Sequence, residues 1–472
     1  MSDEPAPPQR NEAAPRQSDK AAPPLRGEAV PPVRDEAVPP LHDEAVPQQR
    51  DEAAPPPPPL RDDCFALPPG VDWTPVDTAL AHLEASLHPV TAGQDLPLAE
   101  AAGRILAADA RAHLSNPPAA NAAVDGYGFA HAALTGAGPH RLPLAPGRAA
   151  AGVPYPGAVP EGTGLRILTG AVIPPGVDTI VLQEDCLRSA EDIRFAKGLR
   201  PGANIRRAGE DFAAGDLLLP AGARVSPRDL ALLAAGGLGR LRVRAPLRVG
   251  VLSTGDELVD PGAPAARGQI PDANRPMLLA MLRAWGMEPV DLGRAGDSAQ
   301  AVEAALGRGA AQASAILTTG GASAGDEDHV SAALRRAGRL QLWRIAVKPG
   351  RPLALGLWDG VPVFGLPGNP VAALVTAAVF ARPALLALAG APFATPRGML
   401  LPAAFSKRKK PGRREYLRAR LRDGAVEVFA SEGSGRISGL SWAEGLCELP
   451  DAAADIAPGD PVRYIPWAEF GL

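Results

Sequence analysis

LRVGVLSTGDEL, residues 247–258, sets a short apolar run directly before a loop of small, hydroxyl and acidic residues. The same device returns twice. Residues 313–317 lead into TTGGASAGDED (Thr318 to Asp328), and residues 361–364 lead into GLPGNP (Gly365 to Pro370). A helix-like pattern follows each loop, so the region predicts an α/β domain built on a largely parallel sheet. In such sheets ligands bind in the loops beyond the carboxyl ends of the strands. Glycine lets backbone amides approach an anion closely, and the helix that follows adds its partial positive charge. These loops also carry acids, which would repel a bare anion. A divalent cation between carboxylate and anion resolves the conflict, and Mg²⁺ prefers oxygen ligands of this kind.

Working outward, 472 residues exceed one ordinary core and predict several domains. Aromatics are only 4% of the chain, so the cores must be aliphatic. Lys+Arg 48 against Asp+Glu 52 offers no basic excess, which argues against a general nucleic-acid binder. Cys64, Cys186 and Cys447 are scattered and odd in number, so the sequence writes neither a disulfide framework nor a paired-cysteine zinc site. The reading is a cytoplasmic protein without signal peptide or membrane span. Residues 371–388, the longest apolar stretch, are interrupted by Thr376, Arg382 and Pro383 and read as a buried helix.

Residues 1–69 read as a disordered Pro-rich tail repeating an octapeptide, with starts at Arg10, Ser18, Arg26, Arg34, His42 and Arg50. A period of eight fits neither helix nor strand, and proline removes backbone donors. Residues 70–114, with 212–246, form an expected helical linker domain in which Pro97 and Gly103 separate two helical segments after Thr74. Between them, residues 115–211 turn rich in Gly, Pro and short Val, Leu or Ile runs, the pattern of an inserted β-rich module. The α/β domain spans 247–395, and a small C-terminal β domain spans 396–472.

Several residues then stand out. Asp125 and Gly126 form an Asp-Gly pair, ordinarily a tight turn. Thr169 closes an apolar run ahead of a Pro-Pro-Gly turn, while Arg206, Arg207, Glu210 and Asp211 surround Gly209. Asp256 and Glu257 lie at a strand end. Asp326 and Asp328 open a helix, where an acid serves equally as cap or as catalyst. In WRIAVKPGRP, Arg344, Lys348 and Arg351 are flanked by apolar residues, so their natural partner is a fixed anion. The run Lys407 to Lys410, with Arg413 and Arg414, reads as a solvated face or the charged mouth of a ligand site.

NAAVDGYGF, ILTGAVIPPGVDTIVLQED, RRAGEDFAAGD, VLSTGDELVDPG, GQIPDANRPML, TTGGASAGDEDH, WRIAVKPGRPLALG, GLPGNPVAA, KKPGRREYLR and SEGSGRIS occur in one order along Thr74 to Leu472. Together they resemble the molybdopterin molybdenumtransferases, a family whose relatives include the E domain of gephyrin. The resemblance implies insertion of molybdenum from molybdate into adenylylated molybdopterin, with AMP released and Mg²⁺ required. It implies Asp125, Thr169, Asp211, Glu257 and Asp328 as catalytic residues, with Asp125, Glu257 and Asp328 on the metal. Substrate would meet Ser253, Thr254, Gly255, Gly320, Gly321, Ser323, Pro367, Gly368, Asn369 and Pro370. Arg344, Lys348 and Arg351 would hold oxyanion or phosphate charge, and Arg413 and Ser434 would reach the pterin or molybdate from the last domain. Implied partners are a second copy of the chain, the small-molecule substrates, and a molybdopterin adenylyltransferase or acceptor molybdoenzymes.

The family often has Lys where this chain has Arg344 and Arg351, which exchanges a point charge for a planar fork. Val124 stands where Met is usual. A catalytically silent molybdopterin-binding scaffold would suit the long tail, and a molybdopterin adenylyltransferase would explain the α/β domain alone.

Overall fold

A computed structural model of the chain describes residues 73–196, 198–320, 328–337, 340–350, 352–431, 433 and 435–472, with the backbone alone at 340–344, 352 and 353. The repeat tail lies outside the described residues, as do Gly321, Ser323, Asp326, Arg351 and Ser434.

The α/β sheet has six strands: β1 (Arg248–Thr254), β2 (Glu288–Ala295), β3 (Ala315–Thr319), β4 (Leu340–Arg344), β5 (Pro352–Trp358) and β6 (Val361–Leu366). Their order across the sheet is β2-β1-β3-β6-β5-β4. The four strands from β2 to β6 are parallel, while β5 runs against both β6 and β4. Both faces are covered by helices. Val249, Val251 and Leu317 pack with Leu278 and Leu282 of α1 (Asn274–Ala284) and Val375 of α4 (Pro370–Thr376). Leu252, Ile316 and Val363 point the other way, onto Val302 and Leu306 of α2 (Ala299–Gln312) and Leu334 of α3 (His329–Arg336). Successive strand residues alternate between the faces, so a strand buried on both sides must be apolar throughout.

Residues 370–388 are helical throughout, and 89% of their most apolar stretch is buried inside the fold, as expected of a core helix. Pro383 lacks an N–H and would crowd the carbonyl four residues back. The backbone widens to a π-helix at Ala377–Ala381 just before it, and the helix passes without a break.

The β-rich module contains a second six-stranded sheet, ordered Thr179–Leu182, Gly126–Phe129, Gly164–Ile167, His140–Ala149, Asp192–Phe195 and Leu187–Arg188. Its pairings are antiparallel except between residues 140–149 and 164–167. The C-terminal sheet is built around Arg414–Arg422, Gly445–Leu449 and Pro461–Pro466, all antiparallel, with Met399–Pro402 on one edge.

Two expectations for the N-terminal part need correction. Only the first of its two helical segments is an α-helix, Val76–Ser86; beyond it, Gly93–Pro97 is a strand paired with Arg240–Arg244. Prolines at 89 and 97 and glycine at 93 interrupt any helix there. That first helix also does not pack with Pro227–Ala235: its Val76, Leu80 and Leu83 belong to the core of the α/β domain.

Candidate functional site

The ends of β1, β3 and β6 lie side by side, and glycines make their loops meet. Gly255 has φ +141°, and a Cβ there would lie 2.4 Å from the Glu257 carboxylate, which folds back over the loop. Gly320 has φ +86°, with its missing Cβ only 2.7 Å from the Thr254 carbonyl and 2.8 Å from its hydroxyl. A Cβ on Gly368 would lie 3.6 Å from Gly320 Cα. Any side chain at 255 or 320 would therefore strain the backbone, and at 320 it would also meet the fixed Thr254 carbonyl. Pro367 is buried against this edge, and Pro370 opens α4. Asn369 caps α4, accepting the amides of Val371 (3.1 Å) and Ala372 (3.4 Å). Ser253, wholly buried, leaves its hydroxyl without a hydrogen bond among the described residues.

The acids of this edge differ in state. Asp256 and Asp297 each accept the other's backbone N–H, at 3.2 and 3.0 Å, tying the first loop to the start of α2. Glu257 is exposed and engaged by no described side chain. Asp328 is 6% exposed and caps α3: one oxygen accepts the Ser331 amide at 2.9 Å, while the other is buried without a hydrogen bond among the described residues. Burial pushes its pKa up. The cap role weighed for this acid is thus present in the structure.

Arg344 ends β4, whose direction matches the parallel strands, so residues 345–350 emerge at the same edge. Gly350 presses this loop onto its neighbour, since a Cβ there would meet Thr376, Ala372 and Pro367 at 2.8 to 3.4 Å. Lys348 is not on a strand of the α/β sheet, as its apolar flanks suggested. Val347–Lys348 pairs with Arg414–Glu415 of the C-terminal sheet. Its amine lies 3.6 Å from the Glu415 carboxylate, which Lys407 approaches at 3.3 Å from the other side.

The basic run is a solvated face only in part: Arg408, its side chain 86% exposed, and Lys410 face outward, while Lys407 and Lys409 turn inward. Lys409 is 2% exposed and donates to the carbonyls of Lys410 and Ala452 at 2.8 and 3.1 Å. Arg414 forks onto Asp77 at 2.7 and 2.8 Å and also reaches Asp451 at 2.8 Å. Arg413, beside it, is half-buried at the start of the same strand. A cavity of about 180 Å³ opens between Pro349 and Val371 on one side and Lys407, Arg418 and Phe429 on the other. Arg418, 4% exposed, lies 4.8 Å over the Phe429 ring and donates to the carbonyls of Ser431 (2.5 Å), Gly433 (3.2 Å) and Arg436.

In the β-rich module, Thr169 donates its amide and its hydroxyl to the same oxygen of Asp125. The amide bond first, then the hydroxyl bond, hold this carboxyl below the usual aspartate range. Gly126 is not a turn glycine. It begins a strand, and a Cβ there would lie 2.0 Å from the Val181 carbonyl of the neighbouring strand. Asp211 bonds instead to Asn116, side chain to side chain at 3.0 Å, where the chain enters and leaves the module. Asp125, Glu257 and Asp328 are not gathered within one chain: among the described residues no three His, Cys, Asp or Glu form a group able to hold a metal. Local sequence could not reveal this, since Asp125 sits on a different domain from Glu257 and Asp328.

The residues missed from sequence were those that hold the loops. Asn274 donates to Thr319 Oγ1 at 2.6 Å and to the Gly368 carbonyl at 2.7 Å. Asp272 accepts the amides of Asn274 and Arg275, both at 3.1 Å. A signal was available in GQIPDANRPML, where an acid precedes Asn, Arg and Pro at a helix start. Glu415 and Arg418 stand in KKPGRREYLR, where only the neighbouring cations were read as site residues.

Three family models match the chain: "MoeA N-terminal region (domain I and II)" over residues 74–237, "Probable molybdopterin binding domain" over 250–387, and "MoeA C-terminal region (domain IV)" over 401–467. A molybdopterin molybdenumtransferase of Haemophilus influenzae is 34% identical over 400 residues, covering 83% of this chain and 98% of that protein. Molybdopterin molybdenumtransferase 2 of Mycobacterium tuberculosis is 36% identical over 397 residues, covering 81% and 96%. A solved structure of the molybdopterin biosynthesis moeA protein from Pyrococcus horikoshii OT3 aligns with TM-score 0.73 at 26% identity, covering 84% of this chain and all of that one.

Proposed function

Since the chain belongs to the molybdopterin molybdenumtransferase family and inserts molybdenum into molybdopterin, we propose that it takes the metal from molybdate, takes the pterin as its adenylyl derivative, and releases AMP with Mg²⁺ present. One observation carries the proposal: three glycine-rich loops and the Lys348 segment share one edge of the α/β sheet, beside a cavity to which Lys407 and Arg418 contribute.

Glu257, exposed and unengaged by described side chains, and the orphan oxygen of Asp328 offer Mg²⁺ the hard oxygen donors it prefers. Among the described residues no three acids form a group, which suits an ion that keeps several waters and binds substrate oxygens. When bound, Mg²⁺ neutralises charge on the phosphoanhydride-like linkage. The protein's own part is positioning. The backbone at Gly255, Gly320 and Gly368 gives the substrate close approach, and Lys348 and Lys407 sharing the single carboxylate of Glu415, together with Arg418, leave a surplus of positive charge beside the cavity. Arg344, Arg351, Arg413 and Ser434 would contact substrate in this reading. The ionised Asp125, held by Thr169, faces the substrate from a second copy of the chain, and Asp211 steadies the neck of the module that carries it. The working unit is accordingly a homodimer. Cytoplasmic location accords with scattered cysteines, an adenylyltransferase supplies the substrate, and acceptor molybdoenzymes take the product.

Purified protein incubated with adenylyl-molybdopterin, molybdate and Mg²⁺ is expected to release AMP and to form cofactor that activates a molybdenum-free molybdoenzyme. Binding of adenylyl-molybdopterin without either product would instead make the chain a silent scaffold.

A further inference from the structure

We infer that the first turn of α1, through Asp272, Asn274 and Arg275, sets the spacing of the loops after β1 and β6 about the end of β3, and that Arg275 is a positioning residue for molybdenum insertion. The second half of this statement rests on the proposed function; the first half does not.

The Arg275 side chain is 14% exposed and meets three carboxylates from three segments. It donates through Nη1 to both oxygens of Asp291 on β2, at 3.0 and 3.2 Å, through Nε to Asp272 at 3.4 Å, and through Nη2 to Asp260. Asp260 ends the segment that begins with Gly255 and Glu257. That segment is stitched to the strand entering α1 by the Ile270 amide on the Glu257 carbonyl and the Asp272 amide on the Val259 carbonyl, both at 2.8 Å. The guanidinium therefore anchors the loop that carries Glu257 at its far end.

The end of β3 and the loop after β6 are reached one residue earlier. One Asp272 oxygen accepts the amides of Asn274 and Arg275, which orients the turn, while the other faces the guanidinium. So oriented, the Asn274 amide group spans from Thr319, the last residue of β3, to the carbonyl of Gly368. A single turn thus touches the loop after β1 through Asp260, the end of β3 through Thr319 and the loop after β6 through Gly368. Exposed ion pairs contribute little. Here the cation is largely buried, and its removal leaves three acids facing one another without it. Its planar fork is what allows three directions of contact at once, which a lysine cannot reproduce.

The test uses the full-length protein and two readouts. In hydrogen exchange, Arg275→Ala and Asn274→Ala are expected to speed exchange at residues 255–260 and 365–369 with the C-terminal sheet unchanged. In the AMP-release assay both should lower kcat roughly 10-fold to 100-fold with KM little altered, because loop misplacement acts on the reacting geometry. Ethylguanidinium should partly restore Arg275→Ala, and Arg275→Lys should fall between wild type and alanine. Asp260→Asn, which changes only an exposed partner and leaves folding intact, should show a smaller loss of the same kind. Unchanged exchange in both loops overturns the inference, as does a kcat loss that matches the fall in folded fraction and resists guanidinium. A wild-type protein that releases no AMP refutes the proposed function, and the exchange experiment still decides the role of the turn.

Discussion

Thr169 donates both its backbone N–H and its hydroxyl to one oxygen of Asp125, each across 2.7 Å. The pair is built to keep a carboxylate ionised and aimed. Asp125→Asn is expected to lower AMP release by about 10²-fold to 10³-fold, the usual loss for one misassigned electrostatic partner. Thr169→Val retains the amide bond and should cost only about 10-fold. Thermal midpoints should not move, because neither residue contributes to a core, and differential scanning fluorimetry beside the activity assay checks both statements.

Two glycines make opposite demands. Gly126 has ordinary strand geometry but no room for a Cβ, so Gly126→Ala must push apart the pairing of residues 126–129 with 179–182. A loss of about 3 kcal/mol in urea unfolding is expected, with overpacking as the cause. Gly320→Ala adds backbone strain at φ +86° to a contact with Thr254. Its expected effect is local: activity lost by more than about 10-fold through displacement of the loop after β3.

Glu415 stands between two lysines, 3.6 Å from Lys348 and 3.3 Å from Lys407. The Lys407 contact is ionic rather than a well-aligned hydrogen bond, since the Glu415 oxygen facing it accepts none. Both Glu415 and Lys407 are largely buried, so Glu415→Gln leaves uncompensated positive charge at the joint between the α/β and C-terminal sheets. Chemical denaturation should show a loss of about 3 kcal/mol, more than Lys348→Ala produces. A double-mutant cycle on Lys407 and Glu415 that returns no coupling would show the pair to be independent.

Arg414 holds the Asp77 carboxyl below its ordinary 3.8, chiefly by direct hydrogen bonding. A carboxyl whose folded pKa is depressed contributes stability that is full above the unfolded value and lost as pH falls through the folded one. Stability should therefore drop with a component below about pH 4 that Asp77→Asn abolishes. Above pH 5 the variant should sit lower by about 1 kcal/mol or less, because Asp77 is mostly exposed. Urea midpoints measured from pH 2.5 to 7 (about one-half unit apart) decide it.

Much was legible in the residues alone. The apolar runs at 247–252, 313–317 and 361–364 could only be strands buried on both faces, and the glycine-rich loops after them had to lie at one edge of a parallel sheet. The buried helix near residues 371–388 followed from its interruptions, and the ordered motifs pointed to the family. The readings that changed were those in which contact partners come from far along the chain. Residues 76–86 gave a true helix, yet its apolar face joined the α/β core. Asp125-Gly126 looked like a turn because turn statistics are local, whereas the carbonyl that excludes a Cβ belongs to Val181.

What the sequence by itself determined was element type, order and family, because periodicity and turn chemistry act over a few residues. Only the tertiary structure decided which charges are spent on one another: Lys348 and Lys407 on Glu415, Arg414 on Asp77, Arg275 on three aspartates. Coulomb interaction and hydrogen bonding reach only a few ångströms with useful strength, and folding alone brings residues 337 positions apart, as Asp77 and Arg414 are, within that reach.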